Sequence, residues 1–417
     1  MIKKYKFSFV TNTLTKRDTF RSLLDIILGR KNLRFSQFKT QWSTFLSVPE
    51  EQLFFFGSGR MGVYTFLKSI DLKSNEEVLV TGYTCVVLTN AVKFAGCNIS
   101  YADINEATLN LNTEELLKKI TSLTKVLIVP HNFGLVYQDI QHIKEIHPSL
   151  IVIEDVAHTL GSKDQSGKPC GTIGDVSFFS MEFSKPITTG IGGVFVINNS
   201  NLLPPFQSLY EQTKSASRFK TFRIGLTLTC FSFSLWKASN FLYLSFFFVL
   251  KYTGLLHKTS HKEIDGIMPD NYAYKLPSSL AVFGYYQMLF IEDANIKKQQ
   301  ICGQFYNYFK DFKDLDLFHN ANDILVRFPI VFKAHVTQET IAKIKHEARS
   351  KGYEFGDWFN DVVHPKGSYR FGYIEGDCPA GEQISRSIIN FPVNINLQLS
   401  VSELEELKAI FTSNGIK

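Results

Sequence analysis

Between residues 54 and 200, short apolar runs alternate with amphipathic stretches of helical length. The apolar runs are FFF at 54, VLV at 78, VLIV at 126, LIVI at 150, VSFF at 176 and VFVI at 194. The helix candidates between them are 62–70, 84–95, 112–119 and 137–146. Parallel strands that are buried on both faces read as continuous apolar runs, and their alternation with helices indicates crossover connections. The pattern therefore predicts an α/β fold built on a mainly parallel sheet.

The length of the chain, 417 residues, predicts more than one domain, because single hydrophobic cores stop growing near about 250–300 residues. Three parts are expected: an N-terminal arm over 1–49, a large domain over 50–265 that includes a hydrophobic insertion at 205–262, and a smaller α+β domain over 266–417.

The composition excludes several classes of protein. Charged residues make up 20% of the chain, and its formal charge of +6 is spread along the sequence, so nucleic acid is not an expected partner. The six cysteines never form a CxxC pair, which argues against a zinc knuckle or a disulfide framework. The basic N-terminus lacks the apolar core of a secretory signal. We therefore expect a cytoplasmic protein.

Asp155 ends the apolar run IVIED. In open parallel sheets, ligands bind at the carboxyl ends of the strands. A carboxylate placed there can hold a protonated ring nitrogen, which is the contact that turns pyridoxal into an electron sink. An alternative is that Glu154 or Asp155 caps a following helix.

Lys185 lies in the segment FFSMEFSKPITTGIGG, where a predicted strand runs into hydroxyl residues and a glycine-rich turn. An imine-forming lysine has to lose its proton, and burial near other cations lowers the pKa of lysine in that direction. Ser180 and Ser184 offer hydroxyl groups, and glycine lets the backbone approach a ligand closely. The alternative is a solvated lysine in a surface loop.

The strings PHNFGLVYQDI, EDVAHTLGS and GTIGDVSFFSMEFSKPITTGIGG, in this order, resemble the DegT/StrS family of sugar aminotransferases, which belong to fold type I of the pyridoxal phosphate (PLP) enzymes. The resemblance extends upstream through SGRMGVYTFL and EVLVTGYTCVVLTNAV, and downstream through YKLPSSLAVFGYYQ and CPAGEQISRSIINFPVN. The first 30 residues and the tract 201–265 lie outside it.

The resemblance implies roles for individual residues. Lys185 matches the lysine that holds PLP and moves the proton, and Asp155 matches the aspartate on the pyridine nitrogen. His158 matches the residue beside the phenolic oxygen of the ring, and Ser180 matches a serine on the cofactor phosphate.

The phosphate is also expected at Gly59 and Arg60, where the family usually has Gly-Thr at a helix start. Free N–H groups and the dipole of a helix start favour an anion there, and arginine itself binds phosphate.

The chain departs from the family pattern at three places. Ile191 replaces a common glutamate of the family's GEGG string. Cys85 falls where an aromatic residue often stacks on the cofactor, and Tyr83 is a candidate substitute. The family's Asn-Tyr-Arg segment, which reaches the phosphate of the neighbouring subunit, corresponds to residues 273–275, Ala-Tyr-Lys.

The resemblance implies a homodimer that moves an amino group from L-glutamate to a keto sugar in two half-reactions, and the sugar is expected to be nucleotide-linked. The product is expected to feed cell-surface polysaccharide or lipopolysaccharide. One alternative is a noncatalytic relative that acts as a binding or regulatory protein at the membrane. A second is a PLP-dependent sugar dehydratase, but those relatives replace the Schiff-base lysine with histidine, whereas this chain keeps Lys185.

Two weaker motifs suggest other chemistry. The string GSGRMG at 57–62 has the GxGxxG spacing of a dinucleotide site, but the second predicted strand lacks the acid at its carboxyl end that a ribose requires. His131, His257 and His261 have no further ligand at suitable spacing, so no metal site is expected.

The tract 224–250 carries one charge, Lys237, and is long enough to cross a bilayer if it is helical. A single span would separate two parts of one active site, so a monotopic contact with the inner membrane is expected instead. Basic residues flank the tract, as contact with anionic lipid requires. A buried helical pair or a dimer contact is the alternative.

Overall fold

The computed structural model describes residues 13–234, 261–320, 322–395, 397 and 399–417. The strands over these residues are β1 Leu53–Phe56, β2 Glu77–Thr81, β3 Thr84–Cys85, β4 Asn98–Ala102, β5 Thr124–Pro130, β6 Ile151–Asp155, β7 Val176–Ser180, β8 Gly193–Ile197, β9 Leu315–Leu317, β10 Arg327–Phe332, β11 Val363–His364 and β12 Ile388–Pro392.

The helices of the same residues alternate with these strands in the N-terminal half. They are α1 Lys16–Ile27, α2 Lys31–Leu46, α3 Gly59–Ser69, α4 Val86–Ala95, α5 Thr113–Lys119, α6 Ile140–Ile146, α7 Leu203–Gln212, α8 Arg218–Ser234, α9 His261–Ile264, α10 Ser278–Met288, α11 Ile291–Phe309, α12 Gln338–Ser350, α13 Pro379–Ser387 and α14 Val401–Ser413.

Within the described ranges, a seven-stranded sheet has the order β1-β8-β7-β6-β5-β2-β4. The neighbours from β7 to β4 pair in parallel, whereas β8 runs antiparallel to both β1 and β7. The α/β fold with a mainly parallel sheet is therefore confirmed. Strand β4 was not expected from an apolar run, because this edge strand keeps Asn98 exposed and buries only its last two residues.

The described part of the expected N-terminal arm is not an extended arm but a pair of packed helices. On α2, Phe38 and Trp42 are fully buried, and the Trp42 ring lies 5.0 Å from that of Phe179 on β7. Helix α10 crosses the same helix so closely that a Cβ on Gly284 would come within 2.6 Å of Phe38. Apolar residues at helical spacing drive this packing, so residues 13–49 belong to the large domain.

The smaller domain has its own core around the antiparallel sheet β12-β10-β9, against which α11, α12 and α14 pack. The boundary expected at 265/266 falls too early, because the buried residues of α10 belong to the first core. The two domains are also connected by strand pairing, because the short strand β11 of the C-terminal region pairs in parallel with β3 of the large domain.

The hydrophobic insertion expected at 205–262 contains α8 and most of α7, while 235–260 lies outside the described residues. Ile224 and Leu228 of α8 are fully buried, and both approach Gly190 in the turn that follows Lys185. None of the described helices is both long and apolar enough to span a membrane. The first part of the tract 224–250 thus packs on the large domain, as the buried alternative expects.

Candidate active site

A cavity of about 230 Å³ opens at the carboxyl edge of the large sheet, where it meets the smaller domain. It is bordered by the ends of β5, β6 and β7, the start of α3, strand β3 and the segment around β11. All seven residues expected at the site line this cavity: Gly59, Arg60, Cys85, Asp155, His158, Ser180 and Lys185. The fold therefore brings together residues that lie up to 126 positions apart in the sequence, and their individual roles stay predictions.

Lys185 lies in the turn that follows β7, where its backbone N–H donates to the carbonyl oxygen of Glu182 at 3.1 Å. Burial lowers the pKa of the Lys185 ammonium, although the carboxylates of Glu182 and Asp155 act in the opposite direction. The lowered pKa favours the neutral amine, which is the form that attacks an aldehyde. A solvated surface lysine would not lie in such a cavity.

Asp155 is the last residue of β6, and its Oδ1 accepts a hydrogen bond from the backbone N–H of Ala157 at 3.0 Å. A turn rather than a helix follows it, so Asp155 does not cap a helix. Burial raises the pKa of the carboxyl group, while the Ala157 N–H and the positive charge of Lys185 lower it. A buried carboxylate of this kind gains most from a cationic partner such as a protonated ring nitrogen.

His158 has a defined tautomer in this structure. Its Nδ1 accepts a hydrogen bond from the backbone N–H of Phe133 at 3.2 Å, so that nitrogen carries no proton. Burial, together with the nearby charge of Lys185, holds the pKa of His158 well below its usual value. The ring is therefore neutral with its proton on Nε2, and it can donate a hydrogen bond to an oxygen in the cavity.

Glu154, the neighbour of Asp155, has a structural role that the sequence did not reveal. Its buried carboxylate lies 3.2 Å from Nε2 of His131, whose Nδ1 accepts from the backbone N–H of Tyr137 at 3.1 Å. It also accepts three backbone hydrogen bonds, of 2.8, 2.7 and 2.6 Å, from Gly171, Ile173 and Gly174. Because alternate residues of a strand face opposite ways, Glu154 anchors a loop while Asp155 faces the cavity.

The expected phosphate end of the site lies at the start of α3. Gly59 opens this helix and lies so close to β8 that a Cβ on Gly193 would come within 2.1 Å of its nitrogen. The Oγ of Ser58, the N-cap residue, is buried and has no hydrogen-bond partner among the described residues. Together with the Ser180 hydroxyl in the cavity lining, these groups suit the phosphate of PLP.

Arg60 is held by two carboxylates rather than pointing free into the cavity. Its Nη1 donates to Glu182 at 2.7 Å, and its Nε and Nη2 donate to Glu263 at 2.8 and 2.7 Å. A phosphate contact from Arg60 has to compete with these acids, so the α3 backbone is the stronger candidate for that contact.

The aromatic rings that line the cavity come from Phe178 on β7 and from the smaller domain, not from the β3 region. Tyr83 is fully buried, its hydroxyl oxygen accepts from the backbone N–H of Phe359 at 3.4 Å, and it does not line the cavity. Trp358, Phe359 and His364 do line it, with His364 directly opposite Cys85 in the pairing of β11 and β3. No local pattern predicts this contact, because His364 and Cys85 are 279 positions apart.

The other departures from the family pattern leave the backbone of the site in place. Ile191 is buried in the large core, and the flanking Gly190 and Gly192 adopt φ values of 81° and 138° that favour glycine. The carbonyl of Tyr274 in the segment 271–276 accepts from the N–H of Gly57 at 2.8 Å. His257 and the side chain of His261 lie outside the described residues.

Comparisons with known proteins relate the chain to aminotransferases. The sequence profile of the DegT/DnrJ/EryC1/StrS aminotransferase family matches residues 28–233, which is further into the tract 201–265 than the sequence motifs suggested. The GDP-perosamine synthase of Escherichia coli O157:H7 is 35% identical over 147 residues, covering 35% of this chain and 40% of that enzyme. The spore coat polysaccharide biosynthesis protein SpsC of Bacillus subtilis is 23% identical over 87% of this chain and 85% of its own length.

Solved structures share the fold over nearly the whole chain. The Helicobacter pylori aminotransferase PseC, involved in the biosynthesis of pseudoaminic acid, superposes with a TM-score of 0.74 at 18% identity and covers 99% of both chains. The aminotransferase TlmJ of Streptoalloteichus hindustanus gives a TM-score of 0.71 at 17% identity over 98% of both chains.

Proposed function

Because the chain belongs to the DegT/DnrJ/EryC1/StrS aminotransferase family, we propose that it transfers an amino group from an amino acid, L-glutamate by family analogy, to a keto sugar. The observation that carries the proposal is the convergence of Lys185, Asp155 and His158 on one cavity. A noncatalytic scaffold has no need of a lysine, a carboxylate and a neutral histidine that all line one cavity.

The residues of the cavity suit pyridoxal phosphate, the cofactor of this family. When bound, it supplies an aldehyde that forms an imine with an amine and a ring that delocalises negative charge. The α3 start and Ser180 would hold its phosphate, and Asp155 would face its ring nitrogen.

Each residue then has a distinct task. Lys185 would hold the cofactor and, once released as an amine, would move a proton to and from the amine-bearing carbon of the substrate; its lowered pKa favours the neutral form. Asp155 would keep the ring nitrogen protonated. His158, with its proton on Nε2, would donate to the phenolic oxygen of the ring.

The acceptor we propose is a nucleotide-linked keto sugar. Support comes from two relatives whose names specify such sugars, the GDP-perosamine synthase and a dTDP-4-dehydro-2,3,6-trideoxy-D-glucose 4-aminotransferase of Saccharopolyspora spinosa. The latter is 26% identical over 46% of this chain and 52% of that enzyme. The name of SpsC supports a role in polysaccharide biosynthesis, and we extend this to cell-surface polysaccharide or lipopolysaccharide.

The enzyme is proposed to work as a cytoplasmic homodimer with shared sites, peripheral or monotopic at the inner membrane. The family pattern at 271–276 supports the dimer, and the low charge and basic flanks of 224–250 support the membrane contact. Sedimentation at the assay concentration tests the dimer, and a fully active monomer would exclude it.

The decisive experiment follows the two half-reactions separately. Purified protein loaded with PLP is mixed with single amino acids, and conversion to the pyridoxamine form is followed by the loss of visible absorbance. The pyridoxamine form is then mixed with a panel of keto sugar nucleotides. Recovery of the visible band with one of them establishes the acceptor, whereas failure of the protein to take up PLP would support the noncatalytic alternative.

A further inference from the structure

A second cavity, of about 580 Å³, adjoins the one that contains Lys185. Arg60, Glu182 and Ser184 line both cavities, so the two share a wall. The second cavity lies between α8 and the segment 269–274. A group bound in the second cavity would therefore lie next to the space that contains Lys185.

The α8 side of the second cavity is basic and aromatic. Lys220 and Arg223 are three positions apart on the helix and both line the cavity, next to Phe219. The Lys220 Nζ lies 4.0 Å from the centre of the Tyr274 ring, which holds the ammonium group against one face of an aromatic wall.

Lys220 lies in a setting that an anion would stabilise. Burial and the positive charge of Arg60 lower the pKa of its ammonium group, whereas the carboxylate of Glu263 acts in the opposite direction. An anion that enters the cavity would stabilise the charged form of this partly buried lysine.

The acidic residues that line the second cavity do not cancel the preference of Lys220 for an anion. Glu182 and Glu263 are both bound by Arg60, and Asp270, the other acid of the lining, is exposed. The basic pair on α8 is thus the part of the wall best placed to meet a multiply charged anion.

We propose that Lys220 and Arg223 bind the diphosphate of the sugar acceptor, so that α8 is the element that recognises the activated sugar. This inference rests on the proposed aminotransferase function and adds to it the residues that recognise the acceptor. A sugar diphosphate carried by a nucleoside and one carried by a polyprenyl lipid share the chemistry recognised here.

The test measures binding to the full-length protein loaded with PLP, so that the cofactor phosphate site is already filled. Inorganic pyrophosphate is titrated first, then UDP, GDP and dTDP, then vesicles with and without a polyprenyl diphosphate. We expect Lys220→Met to weaken pyrophosphate binding about tenfold, the effect of losing one charge-assisted contact. Lys220→Arg should restore binding, and Arg218→Gln, which changes an exposed residue of the same helix, should leave it unchanged.

Comparing the titrations identifies the group that carries the sugar diphosphate. Tighter binding of a nucleoside diphosphate than of pyrophosphate assigns a soluble sugar nucleotide, and tighter binding to the polyprenyl vesicles assigns a lipid carrier. The inference would be overturned if the wild type and Lys220→Met bound pyrophosphate with equal affinity, or if neither protein bound it.

The donor half-reaction separates this inference from the proposed function. An amino acid carries no diphosphate, so Lys220→Met should convert PLP to the pyridoxamine form at the wild-type rate. If no amino acid drives that conversion in the wild type, the aminotransferase proposal fails, whatever the pyrophosphate titrations give.

Discussion

Arg60 and Glu263 form a bidentate ion pair, in which Nε of Arg60 donates to Oε1 of Glu263 at 2.8 Å and Nη2 donates to Oε2 at 2.7 Å. Both side chains are buried, with exposures of 11% and 5%. The pair connects the first turn of α3, at the expected phosphate end of the site, to α9, the first described element after 235–260. The segment that directly follows the insertion at 205–262 is thereby joined to the active site by charge, while α8 within the insertion is joined to it by packing.

Replacing Glu263 by Gln should lower the free energy of unfolding by about 3 kcal/mol, because it leaves the buried guanidinium of Arg60 with one carboxylate instead of two. Urea denaturation measures the change. Glu339→Gln, which breaks an exposed pair with Lys343 on α12, is the control and should leave the unfolding midpoint unchanged. Equal midpoints for the two variants would show that the Arg60 pair contributes no stability.

Lys185→Ala should abolish turnover and the visible absorbance of the lysine-bound cofactor while the fold is retained. The side chain lines a cavity and is not part of either apolar core, so its removal leaves the packing unchanged. Spectra recorded after addition of PLP and circular dichroism test both parts. Lys168→Ala, at an exposed position, is the matched control. A fully active Lys185→Ala would refute the central assignment.

Asp155→Asn should retain some PLP but lose turnover by a factor on the order of 10²–10³, the range for removing one preorganised electrostatic contact. The amide keeps the shape of the carboxylate and its contact with Ala157, but it cannot stabilise a protonated ring nitrogen. Single-turnover kinetics with the amino donor measure the loss. An unchanged rate would reduce Asp155 to a residue that only stabilises the turn after β6.

His364 should make the protein less stable in acid. Burial lowers the pKa of its imidazole to about 4, so below the ordinary value of 6.5 the unfolded chain binds a proton that the folded chain does not. The free energy of unfolding therefore falls as the pH is lowered from 6.5 to about 4, and His364→Gln should flatten this part of the profile. Urea titrations across the range test it, with His142→Gln at an exposed position as the control. Parallel wild-type and His364→Gln profiles would contradict the prediction.

The membrane contact can be tested with a deletion that leaves α8 intact. Removing all of 224–250 would take away Ile224 and Leu228, which are buried against the turn after Lys185. Replacing only 235–250 with a short linker keeps α8, and we expect it to move the protein from the membrane fraction to the high-speed supernatant. Recovery of the intact protein wholly in that supernatant, without detergent, would exclude the membrane contact.

Much of the fold follows from local patterns. The apolar runs that predicted strands correspond to β1, β2, β5, β6, β7 and β8, because a strand buried on both faces needs an uninterrupted apolar sequence. Edge strand β4 lacks such a run and was missed. The expected arm was wrong for a related reason, since nothing in the sequence of α2 shows that its aromatic face meets Phe179 on β7.

The sequence by itself determined which residues could carry the chemistry. Asp155 and Lys185 were candidates because a strand end and a glycine-rich turn are local features, and the family resemblance implied their roles. Tertiary structure alone decided that Glu154 anchors a loop, that Arg60 pairs with Glu182 and Glu263, and that His364 lies beside Cys85. These contacts join positions far apart in the chain, and their geometry depends on how two cores pack together, which no local pattern encodes.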